Sequence, residues 1–143
     1  MVQPPFMGSE APWLEKRLGA ERLERTYAFA SLERAGAVLA GSSDCPVEPP
    51  DPWAGMALAR DRAGMSAGQA IAAESALAMY TTGAAVALEE PVPLAVGSPA
   101  DFVIVDRDPL QVSPSQLRDT EVITTFVDGV EVAVDRSAPL WLD

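Results

Sequence analysis

The sequence predicts an α/β protein, and three observations support this class. A short apolar run without polar alternation, residues 37–41, lies between two helical stretches, as is typical of a strand buried on both faces of a parallel sheet. The last third is β-like and contains Asp128-Gly129, the dipeptide that a tight type I′ hairpin turn requires. At 143 residues and 48% hydrophobic, the chain is long and apolar enough to bury a core.

The first stretch predicts the tail of a strand followed by helices. Pro4 and Pro5 interrupt an apolar segment at once, and proline has no amide hydrogen for a central strand, so we expect the first residues to end a strand. Residues 10–35 have helical character and are divided by glycine. Gly19 is the expected end of one helix and Gly36 the end of the next.

The middle stretch predicts two further helices. Asp51 is a good N-cap and Pro52 suits the first helical position, so we expect a helix that ends near Arg62. Residues 66–69 (SAGQ) fit a capping box and predict the start of an Ala-rich helix that runs to Tyr80. A further helical turn follows. The order of helix, buried strand and helix is that of α/β architecture.

The composition changes at residues 89–91, and we expect a domain boundary there. Beyond it the sequence predicts three strands, at residues 101–106, 121–127 and 130–134, the last two of which form the hairpin. Three strands alone make a small sheet whose edges stay exposed unless partner strands cover them.

Composition excludes several classes of function. The chain has no histidine, which rules out a Ser-His-Asp triad, a Cys-His pair and a His-Glu-x-x-His zinc helix. A net charge of −11 argues against nucleic acid as a partner. No apolar run is long enough for a membrane span and no secretory signal is present, so we expect a cytoplasmic protein. The single cysteine, Cys45, excludes an intrachain disulfide and is expected to be a small buried apolar residue.

The loop that follows the apolar run is the place to look for chemistry. Functional residues of α/β folds collect at the carboxyl ends of parallel strands, and Asp44 lies there in a proline-rich segment. Its carboxylate could ligate a divalent metal or take a proton from a metal-bound water. The alternative is that Asp44 satisfies backbone amides in a turn, and the loop alone favours that alternative. Glu48 fits a solvated loop carboxylate.

The order of several motifs resembles the amidohydrolase superfamily, in particular its family 3 (the YtcJ-like branch). These motifs extend over nearly the whole chain: Gln3-Pro4, WLEKRLG at 13–19, GSSDCPVEPPDP at 41–52, YTTGAA at 80–85 and GSPADFVIVDRDPL at 97–110.

The resemblance implies a (β/α)₈ TIM barrel flanked by a small β-sandwich, hydrolysing carbon–nitrogen bonds other than peptide bonds with one or two divalent metals, zinc being the expected ion. It implies that Asp44 follows the eighth barrel strand, contacts the catalytic metal and acts as general base. With this context, the functional role of Asp44 is favoured over its role in a turn. Residues 1–88 would be the last two strands and helices of the barrel, and residues 89–143 strands of the sandwich.

The sequence departs from the family pattern in a way that bears on activity. The histidines and the bridging residue that hold the metal in the family are not in this chain, and one aspartate cannot hold a catalytic metal, which needs about three protein ligands. We therefore expect a C-terminal portion of the enzyme that, alone, binds no metal tightly and is inactive. Its expected partners are an amide-like small molecule in the full-length enzyme and an N-terminal chain or a second copy.

Two other hypotheses remain open. The chain could be a non-catalytic binding or scaffold protein derived from such an enzyme, or one half of a split enzyme. A weaker hypothesis is a hydrolase that uses only carboxylates, Asp44 with Glu48.

Overall fold

The computed structural model describes residues 1–132, a mixed assembly of helices and one small sheet. The chain order is α1 (Phe6–Leu18), α2 (Ala20–Leu23), α3 (Phe29–Arg34), α4 (Pro52–Asp61), two 3₁₀ turns (Arg62–Gly64 and Ala67–Gln69), α5 (Ala73–Met79), α6 (Thr82–Leu88), β1 (Phe102–Val105), α7 (Pro114–Arg118), β2 (Val122–Val127) and β3 (Val130–Val132). The mixed class agrees with the predicted α/β character. None of the described helices is both long and apolar enough to cross a bilayer.

The first helix begins earlier than its sequence pattern indicates. It starts at Phe6, directly after Pro5, and ends where expected, since Gly19 adopts a φ of 78° and donates its amide to the Glu15 carbonyl. A positive φ is accessible to glycine without steric cost, which explains why the helix stops at this residue. Gly36, at a φ of 85°, likewise follows α3.

The predicted buried strand at residues 37–41 is not a regular strand. One isolated parallel bridge joins Val2 to Gly41, with the Val2 amide donating to Ala40 at 2.8 Å and the Ser42 amide donating to Val2 at 2.9 Å. Ala40 is buried, but Val38 is 64% exposed, so the run is not covered on both faces. A parallel strand needs a neighbour along its length, and within the described residues only the segment around Val2 pairs with it. The strand tail expected at the start of the chain is therefore reduced to the single bridge at Val2.

Helix α4 is the centre of the core. The Oδ1 atom of Asp51 accepts the amide of Ala54 at 3.0 Å and Pro52 occupies the first turn, as the sequence predicts. Ala57 and Ala59 have no exposed surface, and larger apolar side chains from the other helices surround them. The helix ends where Arg62 adopts a left-handed conformation with a φ of 61°.

The predicted capping box at residues 66–69 is wrong. These residues form only a 3₁₀ turn without a side-chain cap, and α5 begins later, at Ala73. The amide group of Gln69 bonds Ser31 instead: its Oε1 accepts the Ser31 amide at 3.0 Å and its Nε2 donates to the Ser31 hydroxyl at 2.8 Å. A contact between segments distant in sequence therefore replaces the local cap.

The predicted hairpin is confirmed. β2 and β3 pair antiparallel around Asp128 and Gly129, which have φ values of 50° and 75°, as a type I′ turn requires. β1 pairs antiparallel with β2, giving the order β1-β2-β3, with a bulge after Ile104. Residues 133 and 134 of the predicted third strand lie outside the described residues.

Helix α7 has no counterpart in the sequence prediction. Ser113 caps it in a true capping box with Gln116, and Leu117, 1% exposed, joins the hydrophobic core. Arg118 forms an ion pair with Asp61 at 2.8 Å, which joins α7 to the end of α4. Residues from the C-terminal third therefore contribute to the same core as α4.

One face of the sheet is aliphatic and largely uncovered. The strand register places on this face Val103, Ile123, Val127, Val130 and Val132, and each of the five is between 42% and 67% exposed. We call these five residues the aliphatic sheet face. The same face also carries Thr125, which pairs with Val103 and Val132, so the exposed aliphatic side chains surround one threonine. Clustered exposed apolar side chains of this kind are characteristic of a contact region.

Candidate functional site

A cavity of about 560 Å³ opens where the single parallel bridge ends. The segment 41–45, the start of α4, the first residues of the chain and the end of α5 surround it. The lining residues are Met1, Gln3, Gly41, Ser42, Ser43, Asp44, Cys45, Pro50, Asp51, Pro52 and Tyr80. The loop singled out from the sequence thus borders a real concavity.

Asp44 lies at the edge of this cavity with its side chain exposed. Its backbone is left-handed, with a φ of 54°, and its carbonyl accepts the amide of Val47 at 2.9 Å, which closes the turn. Among the described residues its carboxylate accepts no hydrogen bond. The turn is therefore held by the backbone of Asp44, and the carboxylate remains available to a ligand.

The other loop carboxylates are placed differently. Asp51 lines the same cavity, but one of its oxygens is engaged as the N-cap of α4. Glu48 lines a separate cavity of about 260 Å³, between α1 and α4. The structure therefore does not bring Asp44 and Glu48 to one cavity, and the carboxylate-only hypothesis has no geometric support.

Cys45 is exposed, contrary to the expectation of a buried apolar residue. It follows Asp44 in the turn and lines the same cavity, because the turn carries it to the surface and away from the helical core. The apolar run ends at Gly41, so the residues beside Cys45 do not indicate burial.

Tyr80 is the residue of this site to which the sequence assigned no role. Its hydroxyl oxygen is buried and has no hydrogen-bond partner among the described residues, and its ring lies against Gly41 and Gly55. Burial raises the pKa of Tyr80 well above its ordinary value, and the negative charge of Asp51 raises it further. The hydroxyl therefore stays protonated at neutral pH.

The described residues do not by themselves make a metal site. The chain has no histidine, and within residues 1–132 no group of three or more cysteine, aspartate or glutamate side chains is arranged to hold an ion. A catalytic metal needs about three protein ligands and an open position. At this cavity Asp44 offers a carboxylate that has no hydrogen-bond partner among the described residues, but the donor set there falls short of a complete metal site.

The described residues form a mixed helix–strand protein in which an acidic loop borders a cavity beside one isolated parallel bridge. The sequence profile described as the amidohydrolase family matches residues 1–133. The chain therefore belongs to the amidohydrolase family, within its family 3 branch, as its motifs predicted.

Two relatives show how far the similarity extends. The candidate amidohydrolase YtcJ of Bacillus subtilis (strain 168) is 30% identical over 139 residues, which is 90% of this chain and 26% of YtcJ. The N-substituted formamide deformylase of Arthrobacter pascens is 37% identical over 65 residues, 43% of this chain and 12% of that protein. The chain thus spans about a quarter or less of the length of these relatives. No solved structure matches it significantly.

Proposed function

We propose that this chain forms part of a metal-dependent amidohydrolase that cleaves carbon–nitrogen bonds other than peptide bonds. The observation that carries the proposal is the family match over residues 1–133, combined with the position of Asp44 on the cavity with a free carboxylate. Residues 1–88 would belong to the barrel and residues 89–143 to the smaller β-domain.

In this proposal Asp44 has two roles. Its carboxylate would contribute one ligand to a divalent cation, with zinc as the expected ion, whose other ligands come from outside residues 1–132. It would also accept the proton of the attacking water, a role in which a positioned base contributes about 10²- to 10⁴-fold to a rate. An exposed carboxylate with no internal hydrogen bond is suited to both roles, because no competing donor has to be displaced.

The substrate would be a small amide-like molecule. One relative is named for deformylating N-substituted formamides, so this substrate class is the first to test. Because the chain has no histidine and residues 1–132 hold no group of three carboxylates or thiols that could bind an ion, we propose that the 143 residues alone do not hydrolyse such substrates.

The test is a chimera in which this chain replaces the matching quarter of YtcJ. We expect the chimera to hydrolyse a small amide that unaltered YtcJ hydrolyses, with N-substituted formamides screened first, and a loss of at least about 100-fold in kcat in its Asp44→Asn variant. Glu48→Gln is the matched control, since Glu48 lies in the same loop but lines another cavity, and it should stay within about twofold.

Two results would contradict the proposal. Equal activity of the Asp44→Asn and Glu48→Gln chimeras would remove Asp44 from the chemistry. A folded chimera without activity on any amide substrate would argue against a shared active site.

A second candidate is a non-catalytic binding or scaffold protein. The aliphatic sheet face favours it, because an uncovered apolar surface suits a lasting contact with another polypeptide. The same chimera separates the two candidates: a scaffold would assemble with the rest of YtcJ but would not support hydrolysis that depends on Asp44.

A further inference from the structure

Two glycines contact the same aromatic ring. Gly41 begins the segment of residues 41–51 that carries Asp44, which we call the Asp44 loop, and Gly55 lies in the first turn of α4, which follows this loop. A methyl carbon built on Gly41 would lie 2.6 Å from Cζ of Tyr80, and one built on Gly55 would lie 1.9 Å from its hydroxyl oxygen. Side-chain carbons do not approach other atoms so closely, so only glycine fits at either position. The ring of Tyr80 is therefore in direct contact with the backbone at both ends of the segment 41–55.

The backbone at the end of α5 also holds the ring of Tyr80 in place. Tyr80 ends α5, and the preceding residue, Met79, accepts the amide of Gly41 at 2.9 Å. The next helix is equally close, because a methyl carbon on Gly83 would lie 2.0 Å from the Leu39 carbonyl oxygen. The end of α5 and the segment that leads into the Asp44 loop therefore form one tightly packed unit.

Packing, and not hydrogen bonding, holds the ring in this place. The Tyr80 hydroxyl has no partner among the described residues, although its oxygen is buried. An unpaired buried hydroxyl costs stability, so it cannot be the reason that the ring occupies this position. The benzene ring, which fills the space between Gly41 and Gly55, is the part that acts on the loop.

We propose that Tyr80 is a positioning residue: its ring sets the spacing between the start of the Asp44 loop and the first turn of α4, and thereby holds Asp44 at the cavity. The functional consequence rests on the proposed role of Asp44, but the geometric claim does not. Deleting the ring should loosen the loop, whereas deleting only the hydroxyl should not.

Cys45 gives a direct readout of the loop. It is exposed, it is the only cysteine of the chain, and it follows Asp44 in the same turn. The mobility of a nitroxide attached to Cys45 reports on this loop alone. This measurement does not depend on catalysis, so failure of the proposed function and failure of this proposal are distinguishable.

The experiment compares three variants of the full chain with the unaltered protein. In Tyr80→Leu we expect the spectrum of a nitroxide attached to Cys45 to sharpen, because a loop without its anchor moves more. Tyr80→Phe, which keeps the ring, should match the unaltered chain. Phe102→Leu is the control for losing a partly buried aromatic ring elsewhere, since Phe102 stacks on Phe126 in the sheet and does not line the cavity.

The proposal is overturned if a folded Tyr80→Leu leaves the nitroxide spectrum at Cys45 unchanged, or if Phe102→Leu sharpens it equally. If Tyr80→Leu does not fold, the unaltered chain decides the question by NMR. Nuclear Overhauser contacts between the Tyr80 ring protons and the α-protons of Gly41 and Gly55 are expected, and their absence overturns the proposal.

Discussion

Helix α4 and the β1–β3 sheet differ in how completely the described chain covers their apolar side chains. Ala57 and Ala59 of α4 have no exposed surface, whereas Ile123 of β2 is 57% exposed. Helices on several sides, including α7 from the C-terminal third, contact α4. The aliphatic sheet face has no comparable cover among residues 1–132. The difference indicates that the helical part is closed by its own chain, while the sheet is suited to contact a further polypeptide.

The largest effect should come from emptying the helical core. Phe29 is 1% exposed, and replacing it with alanine should lower the free energy of unfolding by about 3–5 kcal/mol through lost burial and the cavity left behind. Urea unfolding followed by circular dichroism measures this change. A cost below about 1 kcal/mol would mean that the core is not closed as described.

The contact between Tyr80 and Gly55 should give the next largest effect. Gly55→Ala forces a methyl group against the Tyr80 hydroxyl and should cost about 1–3 kcal/mol of unfolding free energy. In a Tyr80→Phe background, where the closest atom is gone, the same substitution should cost less. A double-mutant cycle on unfolding free energies measures the coupling, and strict additivity would place the ring away from Gly55.

The stability should fall in alkaline solution because of the two tyrosines. Burial is the main cause that raises the pKa of Tyr27 and of Tyr80 in the folded chain. The unfolded chain therefore releases these protons first, near the ordinary value of about 10, and the folded state loses stability as the pH rises beyond it. Each tyrosine contributes a slope of at most about 1.4 kcal/mol per pH unit.

Urea midpoints between pH 9 and 11 test this expectation. The Tyr27→Phe and Tyr80→Phe variants should each show a shallower decline than the unaltered chain. Equal slopes in all three proteins would show that neither tyrosine is protected from ionisation by the fold.

The smallest effect on stability should come from the sheet. Ile123→Thr changes an exposed side chain and keeps a β-branched residue, so unfolding free energy should change by less than about 0.5 kcal/mol. The same substitution should reduce self-association, which sedimentation velocity detects, because it interrupts the aliphatic sheet face. A sharp, monomeric boundary for the unaltered chain at high concentration would contradict a role of this face in contacts.

The elements that could be predicted from the sequence are those with local causes. The start of α4 follows from an N-cap, Asp51, that bonds three residues ahead, and the hairpin follows from two adjacent residues with positive φ. The family motifs led correctly to the amidohydrolases and to the loop that borders the cavity. For α4 and the hairpin, the signal and the structure it specifies lie within a few residues.

The features that could not be predicted depend on distant partners. Residues 37–41 have the composition of a buried strand, but a ladder requires a neighbouring strand that the described residues do not supply. Gln69 has the spacing of a capping residue and bonds Ser31 instead. The position of Tyr80 depends on Gly41 and Gly55, which are far from it in sequence, so no local pattern indicates it. Helix α7 is the exception, because its Ser113–Gln116 capping box is a local signal from which this helix could be predicted.

Zinc retention is the most direct test of the claim that this chain supplies one ligand to a site completed by other residues. After dialysis, the 143-residue chain alone should hold far less than one zinc per molecule, and the chimera with YtcJ should hold about one or two that decrease in Asp44→Asn. Elemental analysis by mass spectrometry measures these ratios. One tightly held zinc on the chain alone, or a chimera whose zinc content does not respond to Asp44→Asn, would contradict the claim.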